Sequence, residues 1–370
     1  MAIYMDHAAT TPISDIALEE FNKRLKQIGN PSSLHNFGRD QRRALEEARE
    51  EIAKFIDCHP SEIIFTASGT EADNLAIKGL YWKSSKKLIV ISAFEHKAVL
   101  EPAEWLVEKE GAELIQIPIT DKGIVDLDFL KKLVDERGSE IALISVMHSN
   151  NEIGALQPID EVIKIAGEIP VHCDAVQSLL KVPVSFKGLT ALSISAHKVG
   201  GPVGVGALIL EKGLDIPALL HGGGQEREIR SGTINTAAIC AFAAALTNYP
   251  SAEISKLKEQ LIAGIKERIP GAMINTPTNS LPGIVNASFP GTKGETLLLL
   301  LDMEGIACST GSACSAGVHR PSHVLIAMGR SEEEAIGTLR FSLGANSNES
   351  EVKRVLEVLP GIVEKAKQAK

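Results

Sequence analysis

Five cysteines in 370 residues, an odd number with no Cys-x-x-Cys pair among them, exclude a disulfide framework and a zinc site built on paired thiolates. No metal is expected, and a reducing compartment is. Positive charge is also in short supply: 38 Lys and Arg stand against 47 Asp and Glu, a formal net charge of −9. Without clustered basic residues the chain lacks the means to hold nucleic acid or an anionic membrane surface. The opening residues Met1 to Asp6 lack the basic region and long apolar core of a secretory signal. One long uncharged stretch, Ser231 to Ser251, contains Thr233, Asn235, Thr236, Asn248 and Pro250 and reads as a buried small-residue helix, not a membrane span. A cytoplasmic location is the expectation. Neither Gly-x-Gly-x-x-Gly nor Gly-x-x-x-x-Gly-Lys-[Ser/Thr] occurs, which removes the common nucleotide loops. Internal repeats and low-complexity linkers are missing too.

What is there is an alternation. From about Glu62, short β-branched runs recur: Ile63 to Thr66, Leu88 to Ser92, Leu114 to Ile117, Ile141 to Met147, Ile169 to Cys173, Leu192 to Ser195 and Val205 to Leu210. Amphipathic helical patterns lie between them, as at Glu71 to Trp82, Ala98 to Glu110 and Ile159 to Ile165. Near-continuous apolar strands separated by helices predict an α/β fold with a mostly parallel sheet covered on both faces. After Pro250 the texture changes. A helix over Ile254 to Arg268 precedes strand patterns at Ile284 to Phe289 and Leu297 to Leu301, then Arg340 to Leu343, and a closing helix from Glu349 interrupted at Pro360. This predicts a large domain over 16–250 and a smaller α+β domain formed by 1–15 and 251–370.

In an open α/β sheet, ligands sit at the carboxyl ends of the strands, and three polar clusters fall there. Thr66-Ala67-Ser68-Gly69-Thr70-Glu71 lies between a strand and a helix; it suits an anion at a helix N-terminus, and Ser68 with Glu71 equally suits a simple capping box. Asp174 ends an apolar strand, where a carboxylate needs a cation, such as a protonated pyridine nitrogen, or serves as a helix cap. Lys198 follows the strand ending at Ser195 and precedes Gly200-Gly201-Pro202. Burial there would lower its pKa as Schiff-base chemistry requires, or the chain would snorkel to water. A fourth cluster, Cys308 to Gly317, has neither helical nor strand period; Cys314 in it is a reactive thiol or an inert surface one. Cys58, Cys173 and Cys240 read as packing residues.

Taken together, these clusters resemble the group I cysteine desulfurases of the nitrogen-fixation and iron–sulfur-assembly type, within the class V aminotransferase-like, fold-type I pyridoxal-phosphate enzymes. The likeness spans nearly the whole chain. It runs through Tyr4-Met5-Asp6, Ala8 to Pro12, Gly29 to Ser33, Glu95 to Leu100, His148 to Gly154 and the Asp174 and Lys198 segments. It continues through His221 to Arg227, Arg230 to Thr233, Gly311-Ser312-Ala313-Cys314, Pro321 to Leu325 and Arg340 to Gly344.

The resemblance implies roles. Lys198 would hold pyridoxal 5'-phosphate covalently and later move the substrate's Cα proton. Asp174 would pair with the ring nitrogen, Gln177 would touch the phenolic oxygen, and His96 would stack on the ring and assist proton transfer. Gly69, Thr70, Ser195 and His197 would hold the phosphate, and Thr233 of the partner subunit would complete that cradle, which implies a homodimer. Asn151 and Arg340 would hold the carboxylate of L-cysteine. Cys314 would take the sulfur as a persulfide, leaving L-alanine, and pass it to an acceptor such as an iron–sulfur scaffold. A Gly/Ser/Ala loop gives that thiol reach.

There are departures. The helix-start loop reads Ala67-Ser68-Gly69-Thr70, with residues still small enough for a phosphate site. His7 stands where Asn or Tyr is common in the family, and Val318-His319-Arg320 is unusually basic. Cys308 has no counterpart in the family motif and reads as structural. The rival readings are another reaction on the same scaffold, such as a selenocysteine lyase, a cystine lyase, a kynureninase or an aminotransferase, and a catalytically inactive subunit. Gly-Ser-Ala-Cys314 disfavours the first, though it leaves selenocysteine open as a second substrate. Retention of both Lys198 and Cys314 disfavours the inactive subunit.

Overall fold

The computed structural model describes residues 2–247, 249–311 and 321–369. Cys314, His319 and Arg320 lie outside the described residues.

The β-branched runs form a seven-stranded sheet in the order Ile63–Thr66, Gly206–Leu210, Ala191–Ser195, Val171–Asp174, Ile141–Ser145, Leu88–Ser92 and Glu113–Ile117. The pairings are parallel except that Gly206–Leu210 runs antiparallel to both of its neighbours. Successive residues alternate between two apolar layers. Phe65, Val90, Ile144, Leu192 and Ile209 pack on one face with helix Asn36–Ile56, whereas Ile64, Ile89, Leu143 and Leu208 pack on the other with helices Gly69–Lys83 and Lys97–Glu110. With both faces covered, the central strands are mostly apolar, which is why they stood out in the sequence; the edge strand Glu113–Ile117 is partly exposed.

The later part of the chain builds a second sheet, the antiparallel Thr338–Ser342, Ile284–Ser288 and Met273–Ile274. Helices Ser251–Arg268, Gly294–Met303 and Glu349–Gln368 share its core, in which Val285, Phe341, Leu301 and Val355 are buried. The N-terminus joins this unit: Ile3–Tyr4 pairs parallel with Ile306–Ala307, and Ser342 N–H donates to Met5 O at 2.7 Å.

Three local expectations are corrected. Leu297 to Leu301 is helical, within Gly294–Met303. An unbroken run of five leucines carries no period, and the structure buries Leu297 and Leu301, four apart, while leaving Leu299 68% exposed. The closing helix is not interrupted at Pro360 but runs continuously over Glu349–Gln368. Proline there removes the N–H that Leu356 O would accept, and Arg268 Nη1 supplies a replacement at 3.1 Å. Among the described residues of the uncharged stretch, Thr236–Ala245 is helical and Ser251 opens the next helix; Asn235 caps the former by accepting from Ala238 N–H. Among the described residues no helix is long and apolar enough to cross a membrane.

Candidate active site

The carboxyl ends of the parallel strands open onto one cavity of about 330 Å³. Gly69, Thr70, His96, Asn151, Asp174, Gln177, Ser195, His197, Lys198 and Arg340 all line it. Residues separated by up to 271 positions (340 − 69) thus converge at the edge where this fold places ligands.

Lys198 ends a single turn, Ala196–Lys198, directly after the strand Ala191–Ser195. Its Nζ donates to the carbonyls of Ala8 and, at 2.7 Å, Ala9. Burial, reinforced by the charge of Arg340, brings its pKa down to about 8 against the opposing pull of Asp6 and Asp174. Gly201 allows the tight turn behind it, since a Cβ there would meet Ala196 Cβ at 2.7 Å.

Asp174 is buried at the end of its strand, and Oδ1 accepts from Val176 N–H at 2.8 Å. Burial pushes its carboxyl upward, while the charges of His96 and Lys198 and the Val176 hydrogen bond pull it back. Two more buried carboxyls lie near it. Glu95 accepts from the Ser92 hydroxyl at 2.5 Å and from Met147 N–H at 2.8 Å, and burial raises its pKa to about 8. Asp73, raised by burial and then by Asp174, faces His172 Nε2 at 3.5 Å. His172 is held between the hydroxyls of Ser145 and Ser193, and burial keeps it neutral with a pKa of about 3. This acidic floor favours a cation above it.

His96 caps helix Lys97–Glu110, its Nδ1 accepting from Ala98 N–H at 3.1 Å. That bond leaves Nε2 as the nitrogen that carries the proton of the neutral ring. Burial lowers its pKa, with Asp174 acting in the opposite direction.

At the start of helix Gly69–Lys83, Ser68 accepts from Glu71 N–H. The full capping box is not formed, because the Glu71 carboxylate turns to Ala67 N–H and Arg230. A Cβ on Gly69 would meet Val176 Cγ2 at 2.7 Å, so the bare backbone at the N-terminus of a 15-residue helix faces the cavity beside the hydroxyls of Thr70 and Ser195 and the His197 ring. This donor set suits a phosphate.

Arg340 is set by two acceptors, Asn151 O at 2.9 Å and Asp6 Oδ1 at 2.8 Å, while its buried Nε has no partner among the described residues. A guanidinium among the residues that line the cavity, with N–H groups beyond the two already bound, suits an anion. Gly311, three positions before Cys314, also lines the cavity. A Cβ on it would sit 3.2 Å from Glu152 Oε2, and the same oxygen accepts from Ser322 Oγ at 2.5 Å on the far side of the 312–320 segment.

Two of the predicted residues are not among the described residues that line the cavity. Thr233 lies in an exposed loop away from it, and Cys314 is outside the described residues. Cys308 is half-buried against the smaller core, and burial holds its thiol protonated. Cys58 is raised to about 12 and Cys240 to about 11, again by burial. His7 is buried edge-on to Tyr4 with ring centroids 5.0 Å apart, and it fills the space that a Cβ on Gly344 would need. The sequence reading missed the carbonyls of Ala8 and Ala9, the acids Asp6, Asp73 and Glu95, and the buried Lys181.

Residues 3–355 match the aminotransferase class-V family. An IscS-like cysteine desulfurase of Mycobacterium tuberculosis is 45% identical, covering 99% of this chain and 97% of that protein. The cysteine desulfurase NifS of Azotobacter vinelandii is 39% identical over 98% of this chain and 92% of its own length. Among solved structures, a NifS-like protein superposes with a TM-score of 0.90 at 38% identity over 99% of this chain and all of that one. SspA in complex with cysteine gives 0.83 at 33% identity over 94% of this chain and all of that one.

Proposed function

Because the chain belongs to the aminotransferase class-V family, we propose that it is a cysteine desulfurase, using pyridoxal phosphate to convert L-cysteine to L-alanine while Cys314 takes up the sulfur. The observation that carries the reading is the convergence of Lys198, Asp174, His96 and Arg340 on one cavity. The donors fit the cofactor: an amine for its aldehyde, a buried carboxylate for its ring nitrogen, and a helix N-terminus with hydroxyls for its phosphate. When bound, pyridoxal phosphate supplies an aldehyde that condenses with amines and a ring that takes up negative charge from the substrate's Cα.

The chain's own residues do the rest. Lys198, with a pKa of about 8, has a substantial neutral fraction just above neutrality; it is a nucleophile and then a carrier of the Cα proton. Asp174 would hold the ring nitrogen, Gln177 would face the phenolic oxygen, and His96 would cover the ring with its Nε2 available for a proton. Gly69, Thr70, Ser195 and His197 would hold the phosphate. Arg340 and Asn151 orient the substrate carboxylate. The Cys314 thiolate attacks the substrate sulfur: a sulfur–sulfur bond forms, the Cβ–S bond breaks, and its electron pair stays with the carbon that is protonated to the methyl group of alanine. Cys314 is left as a persulfide, and the sum of atoms is one cysteine giving one alanine and one transferable sulfur.

The reading extends to a cytoplasmic homodimer in which Thr233 of the partner subunit closes the phosphate cradle, and to delivery of the sulfur to an acceptor protein such as an iron–sulfur scaffold. It also divides the chain into a large cofactor unit, 16–250, and a small unit, 1–15 with 251–370, that carries the cysteine segment. The test is alanine formation from L-cysteine with a reductant present. Wild type should form alanine and be yellow. Lys198→Ala should lose both properties, and Cys314→Ser should keep the colour but release no sulfide. Sulfide release by Cys314→Ser at the wild-type rate would remove Cys314 from the reaction.

A further inference from the structure

Beside Lys198 the structure holds a second buried lysine that the reaction above does not use. Lys181 is only 9% exposed, seven positions beyond Asp174 (181 − 174), and no carboxylate pairs with it among the described residues. Its Nζ donates to Gln177 Oε1 at 3.2 Å. Gln177 Nε2 in turn donates to Ala8 O at 2.6 Å, the carbonyl that also accepts from Lys198 Nζ. The two ends of this carboxamide are therefore chosen by opposite demands. Burial lowers the Lys181 pKa to about 7, and charged or neutral its nitrogen can donate to the amide oxygen; the Ala8 carbonyl only accepts, so it must face the amide nitrogen. Both demands agree, and they fix which way the amide is turned. One hydrogen of the Nε2 group is spent on Ala8 O. The other is left on a residue that lines the cavity with Asp174 and Lys198.

We propose that Lys181 is a positioning residue that locks the Gln177 carboxamide with its N–H turned toward the phenolic oxygen of the cofactor. The proposal deepens the cofactor reading of this cavity and rests on it. Lys181 has neighbours that also titrate or carry charge: Lys198 and Arg340 act on it, it acts on His7 and His197, and Asp6 acts on His7 and Lys198. Any of these influences would reach the cofactor without passing through Gln177, so the test must separate charge from hydrogen bonding.

The experiment is a double-mutant cycle on the full chain reconstituted with pyridoxal phosphate. It reads the cofactor Kd and the pH midpoint of the bound cofactor's visible absorption. Lys181→Met and Gln177→Leu should each raise Kd by about fivefold and move the midpoint upward, since a donor to the phenolic oxygen is lost. The double variant should match Gln177→Leu alone. Lys181→Gln, uncharged but still a donor to Gln177 Oε1, should restore the wild-type midpoint. Effects that add in the double variant, or a Lys181→Met protein with the wild-type midpoint and Kd, would overturn the proposal. Should Lys181→Met not fold, the comparison of Lys181→Gln with Gln177→Leu decides: a midpoint like wild type supports it, and one like Gln177→Leu refutes it. A wild-type chain that takes up no cofactor would instead overturn the underlying cofactor reading, and the proposal with it.

Discussion

Arg340 illustrates how much of this site is decided by single atoms. One N–H of each terminal nitrogen is already bound, to Asn151 O and to Asp6 Oδ1, which leaves the second N–H of each and the buried Nε–H. A lysine offers its three donors from a single atom and lacks the planar fork that reaches Asn151 O, Asp6 Oδ1 and a carboxylate together. Arg340→Lys should therefore lower kcat/KM for L-cysteine by about 100-fold, mainly through KM, in steady-state kinetics; an unchanged KM would detach Arg340 from the substrate. Glu95 makes a second prediction, with a definite sign. Its folded pKa of about 8 stands above the ordinary 4.5, so the folded chain binds the proton more tightly and loses stability as pH rises through that interval. Glu95→Gln should gain on wild type in thermal melts of the cofactor-free protein between pH 5 and 8, and a difference independent of pH would contradict the raised value. Lys198 and Asp174 were legible in the sequence because a charged residue at the end of an apolar run is conspicuous. Asp73 was not, since an acid inside a helical pattern reads as a solvated face. Ala8 contributes only a backbone carbonyl, which no side-chain type reveals.

At the scale of elements, the strands of the large sheet fell within two residues of their expected ends because burial on both faces writes a plain apolar run. Two elements were misread where the deciding fact lies far away in sequence. The leucines at 297 to 301 carry no period of their own, and packing against the smaller core makes them helical. Pro360 does not break its helix, because Arg268 satisfies Leu356 O across 88 positions. Arg268→Met should cost about 1 kcal/mol in urea unfolding. Adding Pro360→Ala restores an N–H to that carbonyl, so the loss from Arg268→Met should shrink in the Pro360→Ala background. Equal losses in both backgrounds would assign the Arg268 effect to something else.

At the scale of the whole molecule, the cavity lies where the two sheets and the N-terminal segment meet. Ala8 N–H donates to Ser342 Oγ at 2.8 Å, while its carbonyl receives Lys198 and Gln177. One short segment thus ties the smaller sheet to the amine of the larger one, a link that the sequence pattern could not display. The exposed Thr233 is not among the residues lining its own cavity, so the proposed cradle needs a second copy of the chain. Thr233→Ala should weaken cofactor binding several-fold, and the protein should sediment at twice the 39.6 kDa chain mass; a monomer with unweakened binding would count against the shared cradle. The central claim, that Lys198 is the amine that holds the cofactor, is tested most directly by borohydride reduction of the yellow protein followed by peptide mass mapping. The account predicts a pyridoxyl group fixed on the peptide carrying Lys198. A label found instead on Lys181, the other buried lysine of this region, or on no lysine at all, would contradict it.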